Sequence, residues 1–192
     1  MTQRRFYLYA IGFELGLGGV AIVVGRLLDV PVAADLHWDT RTVAYALTAT
    51  LPLLGWFALS WRSERTALRE IRATLERLLP TLLGGYGGVA IAALAVAAGV
   101  GEELLFRGFV QGLLERVVGP ASGLVLASVV FGLAHSITPA YALVATLMAL
   151  YLGAAWRIAG NLIVPITIHA AYDAAVIWYV LRARRAAPSV EC

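Results

Sequence analysis

The chain has 192 residues, of which 60% are hydrophobic and only 14% charged, and its mean hydropathy is +0.80. A soluble domain is nearer ~45–50% apolar and ~25% charged, so this chain needs lipid around its outer surface and a water-soluble globular enzyme is excluded. The net charge of +3 is owed to arginine alone, because there is no lysine; the arginines stand between apolar segments, which points to membrane orientation and not to nucleic acid.

The first apolar stretch runs from about Phe6 to Leu28 behind Arg4 and Arg5. It looks like a signal peptide, but Glu14 interrupts it and its length suits a spanning helix, so an uncleaved anchor is expected. A polar loop with Asp29, Asp35, His37, Asp39 and Arg41 follows. The second span covers roughly Val43 to Trp61 and ends in Trp56, Phe57 and Trp61, aromatic residues suited to a membrane interface. Between Arg62 and Leu79 the apolar residues Leu68, Ile71, Leu75, Leu78 and Leu79 alternate with Arg65, Arg69, Arg72 and Glu76 at helical spacing. That pattern predicts an amphipathic helix on the membrane surface.

A third span is expected from Leu82 to Val100, with Gly84, Gly85, Gly87 and Gly88 permitting close helix approach. Four more apolar segments follow, approximately Glu102 to Val118, Ser122 to His135, Tyr141 to Trp156 and Leu162 to Leu181. Gly119-Pro120, Thr138-Pro139 and Gly160-Asn161 separate them as turns. The fold class expected is all-α, a polytopic transmembrane helical bundle of about seven spans plus the interfacial helix. Barrel strands are excluded because the segments are too long and too evenly apolar. Residues 1–192 read as one membrane domain, 1–79 forming the N-terminal spans and interfacial helix and 80–185 the core bundle. With seven spans, nine arginines fall on the N-terminal side, favouring a cytoplasmic N-terminus, yet Arg182, Arg184 and Arg185 then fall on the opposite side. The single cysteine, Cys192, rules out a disulfide within the chain and any CxxC motif, and as the last residue it is no prenylation box.

Ionisable residues inside apolar segments cost about 2.5–3.5 kcal/mol on insertion scales and mark candidate functional sites. Glu102 and Glu103 open such a segment. Glu103 and Arg107 are four apart and share a helix face, so they can pair. Glu102 lies about 100° further round and has no local partner, which suits a general base or acid. The plainer reading puts both glutamates at the membrane surface, with Glu102 favouring a helix N-terminus. His135 shares a face with Phe131, whose ring would wall a site; a histidine at a helix end is otherwise an interfacial residue. His169 lies within the last span with Asp173 four residues on, so the carboxylate can hold the imidazole in one tautomer. Pro165, four residues before His169, is expected to kink that helix and leave a carbonyl seeking a partner. Taken together, these residues would carry several independent costs with no return unless they serve one site.

Glu102-Glu103-x-x-x-Arg107, Phe131-x-x-x-His135 and His169-x-x-x-Asp173 stand in that order, each at an apolar segment. This series resembles the signature of the CPBP intramembrane proteases, the CAAX proteases and bacteriocin-processing enzymes also called the Abi family, over roughly Leu82 to Leu181. The resemblance implies hydrolysis of a peptide bond at or within a membrane, in a multi-pass protein of a prokaryotic cell membrane whose partners are the bilayer and a peptide or protein substrate. It also implies catalytic roles for Glu102 as activator of water, His135 as its helper, and His169 with Asp173 as stabilisers of the oxyanion. Glu103, Arg107 and Phe131 would support them.

Asp173 departs from the asparagine of the best-known members, because an ionised aspartate repels an oxyanion. It must be protonated, orient His169, or bind a metal. No cofactor is expected from spacing, since HExxH is absent; the zinc alternative would use Glu102, His135 and His169 and leave a position open for water. An ion transporter is disfavoured because the polar residues lie only in the second half of the chain. A non-catalytic binding or immunity protein would be told apart by binding that survives Glu102→Gln.

Overall fold

Apolar runs in this chain wind into helices whose lipid-facing sides stay apolar and whose inner sides carry small or paired polar residues. The computed structural model describes residues 2–186, so Cys192 lies outside the described residues. Helix α1 spans Gln3–Leu27, α2 Thr40–Trp61, and the amphipathic α3 Thr66–Leu83. Next come α4, Gly88–Glu103, a π-helical stretch, Leu104–Gln111, and α5, Gly112–Val118, which together form one continuous rod. Helix α6 covers Pro120–Ala134, α7 Pro139–Ala159 and α8 Ile163–Ala186. Among the described residues, five helices are long and apolar enough to cross a bilayer, and α6 is a shorter apolar helix. Residues such as Leu8, Phe13, Val20, Leu51, Leu59 and Leu143 are exposed, as lipid contact requires.

The expected count of seven is therefore corrected to five long spans and one short apolar helix. The segments 82–100 and 102–118 are one rod of 31 residues, Gly88–Val118, because Glu102 and Glu103 are buried by neighbouring helices and need no break to reach water. The glycines around Tyr86 are corrected too: most of them lie in the turn before α4 and not within a span. Close approach is made instead by Gly99, where a Cβ would lie 2.9 Å from the Ile166 carbonyl oxygen of α8, and by Gly101, where it would lie 1.8 Å from the Glu14 carbonyl oxygen of α1. Pro165 does not kink α8. It stands in the first turn, where a missing N–H breaks no helical bond, and the Asn161 carbonyl accepts from Val164 N–H at 3.2 Å.

The two ends of the bundle are held by different contacts. At one end the Gln3 amide donates to the Thr81 carbonyl, Arg72 to the Trp61 carbonyl and Arg184 to the Glu76 carbonyl. At the other, Arg116 donates to the Asp29 carbonyl, Arg157 pairs with Glu115, and the Asn161 amide donates to the His37 carbonyl. Asp39 caps α2 there, and hydrogen bonds from the Thr42 hydroxyl and the backbone of Arg41 and Thr42 hold its carboxyl below the usual range. Both described ends of the chain thus share one face of the bundle. Arg4, Arg5, Arg62, Arg65, Arg69, Arg72, Arg77, Arg182, Arg184 and Arg185 belong to that face, and Arg26, Arg41, Arg116 and Arg157 to the other. The conflict created by seven spans disappears once the rod is counted as one.

The π-helical winding has a physical use. Glu103, Arg107 and Gln111 are all buried, and Gln111 donates to Glu115 at 2.8 Å, so four polar residues spaced by four run down the rod. In an α-helix each step of four falls about 40° further round, so such a column would drift by about 120° over three steps. Over Leu104–Gln111 the i→i+5 winding, with about 4.4 residues per turn, sends two steps back by about 33° each, and the α-helical step to Glu115 returns about 40°, so the column stays facing inward.

Candidate active site

Glu102 stands about halfway along the rod, deep between α8 and the end of α6, and is 8% exposed. His135 closes α6 as its C-terminal cap, placing the ring beside the rod. His169 lies two turns into α8, 3% exposed, against the face where Gly99 lets the rod and α8 touch.

Around Glu102 the three expected motifs converge. His135 Nε2 lies 3.5 Å from Glu102 Oε2, and His169 Nε2 lies 4.0 Å from the same oxygen. His169 Nε2 is also 3.5 Å from Asp173 Oδ2, and its Nδ1 is 2.7 Å from Glu103 Oε1. That same Glu103 oxygen accepts from Arg107 Nη1 at 3.0 Å, while Arg107 Nη2 donates to the Ala149 carbonyl at 3.2 Å. Glu103 is fully buried and Arg107 nearly so. A buried carboxylate with both a guanidinium and an imidazole against it is compensated on two sides. Glu102, by contrast, has only the long contacts to the two histidines, and its Oε2 has no properly aligned hydrogen bond from the protein. The 3.5 Å separation from His135 is too long for a strong bond.

Phe131 builds the wall. Its ring stacks on His135 at 4.3 Å between centroids with 18° between planes, meets Phe106 edge-on at 4.8 Å, and lies under the Arg107 guanidinium at 4.8 Å. The His135 ring is pinned from its other nitrogen: Nδ1 is 2.9 Å from the Phe131 carbonyl. A carbonyl only accepts, so Nδ1 carries a hydrogen and Nε2 is the atom turned to Glu102.

These side chains line a cavity of about 250 Å3 that extends from Glu102, His135, His169 and Asp173 toward the arginine-rich face. Its outer walls are Trp56, Phe57 and Trp61 of α2, Tyr172 and Val176 of α8, and Leu68, Ile71, Leu75 and Leu79 of α3. The apolar stripe of α3 therefore roofs this cavity, and Phe57, Trp61 and Tyr179 pack edge-on to join α2 to α8. Polar groups at the closed end and apolar walls toward the mouth suit an apolar ligand presented to a small polar centre.

Each site residue expected from the sequence is in or next to this cluster. The bond from Glu103 to His169 was not foreseen, because it joins residues 66 apart and the local i,i+4 partner of each already accounted for it. Neither was the part played by α3, nor the approach of α1 to the rod at Gly101. Among the described residues, no group of three or more His, Cys, Asp or Glu side chains is arranged to hold a metal ion.

The family described as type II CAAX prenyl endopeptidase Rce1-like matches residues 86–175. That segment contains all three motifs and leaves out α1, α2 and α3. No curated protein matches the chain, and no solved structure does.

Proposed function

We propose that the chain, whose residues 86–175 match the Rce1-like family of type II CAAX prenyl endopeptidases, is an integral-membrane hydrolase that cuts a peptide bond through a water activated by Glu102. The observation that carries this reading is the convergence of His135 and His169 on Glu102, whose contacts to both rings are long.

Glu102 takes a proton from the water, whose oxygen adds to the carbonyl carbon of the peptide. His135 Nε2, held toward Glu102 by the bond at Nδ1, receives a proton and passes it to the leaving nitrogen as the C–N bond breaks. The proton taken by Glu102 reaches the leaving amine through His135, so the products are a carboxylic acid, which then ionises, and an amine, and Glu102 and His135 return to their starting states. His169 donates toward the oxyanion from Nε2, while Glu103 at Nδ1 fixes the ring and Arg107 fixes Glu103. Asp173, 3.5 Å from the same Nε2, has the geometry of a group that orients His169; this accounts for an aspartate where asparagine would contact the oxyanion itself. On the positive-inside rule the arginine-rich face is cytoplasmic, so the cavity opens toward the cytoplasm. The substrate, a peptide or a protein segment, enters between α2 and α3.

The test is cleavage of a library of quenched peptides by the protein purified in detergent, with and without a chelator. Loss of a general base costs about 10²–10⁴-fold in rate, so Glu102→Ala and His135→Ala should each fall at least 10²-fold, with no effect of chelator on the wild type. Undiminished cleavage by both variants overturns the reading.

A further inference from the structure

A carboxyl that neither the motifs nor the proposed reaction uses stands against the site. Glu14 lies near the middle of α1, outside the segment matched by the family. Its Oε2 is enclosed and has no hydrogen-bonding partner within the protein. Such a group is costly in an apolar span unless it has a task.

The packing of α1 gives it one. The backbone of Glu14 is the surface on which Gly101 rests, with a Cβ at 101 falling 1.8 Å from the Glu14 carbonyl oxygen and 2.6 Å from its carbon. Gly18, one turn on, repeats the approach: a Cβ there would lie 3.4 Å from Gly101 Cα and 3.1 Å from Leu104 Cδ1. Helix α1 therefore crosses the rod at the residue immediately before Glu102. The charged groups in reach of the Glu14 carboxyl are Glu102 of the rod, His169 and Asp173 of α8 and His135 at the end of α6. These are the four residues assigned to the chemistry. Counting Glu103, the region holds four carboxyls against the single guanidinium of Arg107 and two imidazoles.

We propose that Glu14 is a positioning residue of this site, a fourth carboxyl supplied by α1 that acts on Glu102 as a like-charged neighbour and sets how readily Glu102 exchanges its proton. The proposal rests on the reading of Glu102 as the base. Two interacting carboxyls titrate in two steps that belong to the pair. The limb of the kcat/KM profile that reports Glu102 should therefore show two steps in the wild type, one in Glu14→Gln, and two again in Glu14→Asp. A role confined to packing would leave that profile unmoved.

The experiment combines that profile with two measurements that do not depend on turnover. Glu14→Leu removes a half-buried carboxyl with an enclosed, unpartnered oxygen from an apolar span, so its unfolding temperature in detergent should rise while its profile follows Glu14→Gln. Dicyclohexylcarbodiimide, which reacts with protonated carboxyls in apolar surroundings, should label Glu14 in the wild type, read by mass spectrometry. Labelling at neutral pH should fall at least about twofold in Glu102→Gln, because removing a neighbouring negative charge favours ionisation. Superimposable profiles for wild type and Glu14→Gln overturn the proposal, as does labelling indifferent to Glu102→Gln. If no peptide is cleaved but labelling responds, the peptidase reading fails while the coupling of Glu14 to Glu102 stands.

Discussion

Replacing Gly101 by alanine tests whether the crossing of α1 and the rod holds the site together. The added Cβ would start 1.8 Å from the Glu14 carbonyl oxygen, where at least 3.0 Å is needed. The backbone of α1 must therefore retreat by about 1.2 Å or the rod must turn, since a helical carbonyl has no side-chain freedom to give way. Overpacking of this kind costs about 1–3 kcal/mol. The next residue is Glu102, and its contact to His135 is already long at 3.5 Å. A misplacement of about 1 Å at a reacting group costs about 10²-fold in rate. Cleavage in detergent and thermal unfolding of the same preparation provide the assay: kcat should fall by about 10²-fold while the protein remains folded. Wild-type kcat with an unchanged unfolding temperature would refute the close packing, and lost stability with wild-type kcat would refute its link to Glu102.

Two further expectations concern the support of His169 and His135. Arg107→Met strips the guanidinium from fully buried Glu103, and removing one partner of a buried pair costs about 3–5 kcal/mol; denaturant unfolding should register it, and Arg107→Lys should not restore it, because a point charge cannot serve both Glu103 and the Ala149 carbonyl. Phe131→Leu removes the ring stacked on His135 and should cost about 0.5–1.5 kcal/mol beyond the lost area, with a fall in kcat larger than the change in KM, since the ring aims His135 Nε2, the nitrogen proposed to carry the proton.

The residues of the candidate site were more legible in the sequence than the path of the chain. Charges stand out in apolar runs, and four-residue spacing alone puts Glu103 beside Arg107 and His169 beside Asp173. Long-range pairing leaves no such trace, so the contact of Glu103 with His169 and the approach of Glu14 could be found only in three dimensions. The paired glutamates also misled: two charges within an apolar stretch read as a boundary, but here Arg107 and His169 compensate Glu103 inside one rod, and Glu102 is buried beside it. Splitting that rod produced the extra span and with it the contradictory arginine count. Pro165 misled similarly, because a proline breaks a helical hydrogen bond only beyond the first turn, and α8 begins just two residues before it.

The wide winding of Leu104–Gln111 has a bearing on how this segment can change over time. Deleting one of its residues would let the rod relax to ordinary winding and swing everything beyond it by about 45° about the axis. Gln111 and Glu115 would then turn toward hydrocarbon, and the anchoring of Arg157 and Asp29 at the far end would be lost. Substitution between the glutamate pair and Arg107 is thus a matter of fit, whereas a change in length is a matter of rotation that both leaflets would feel at once.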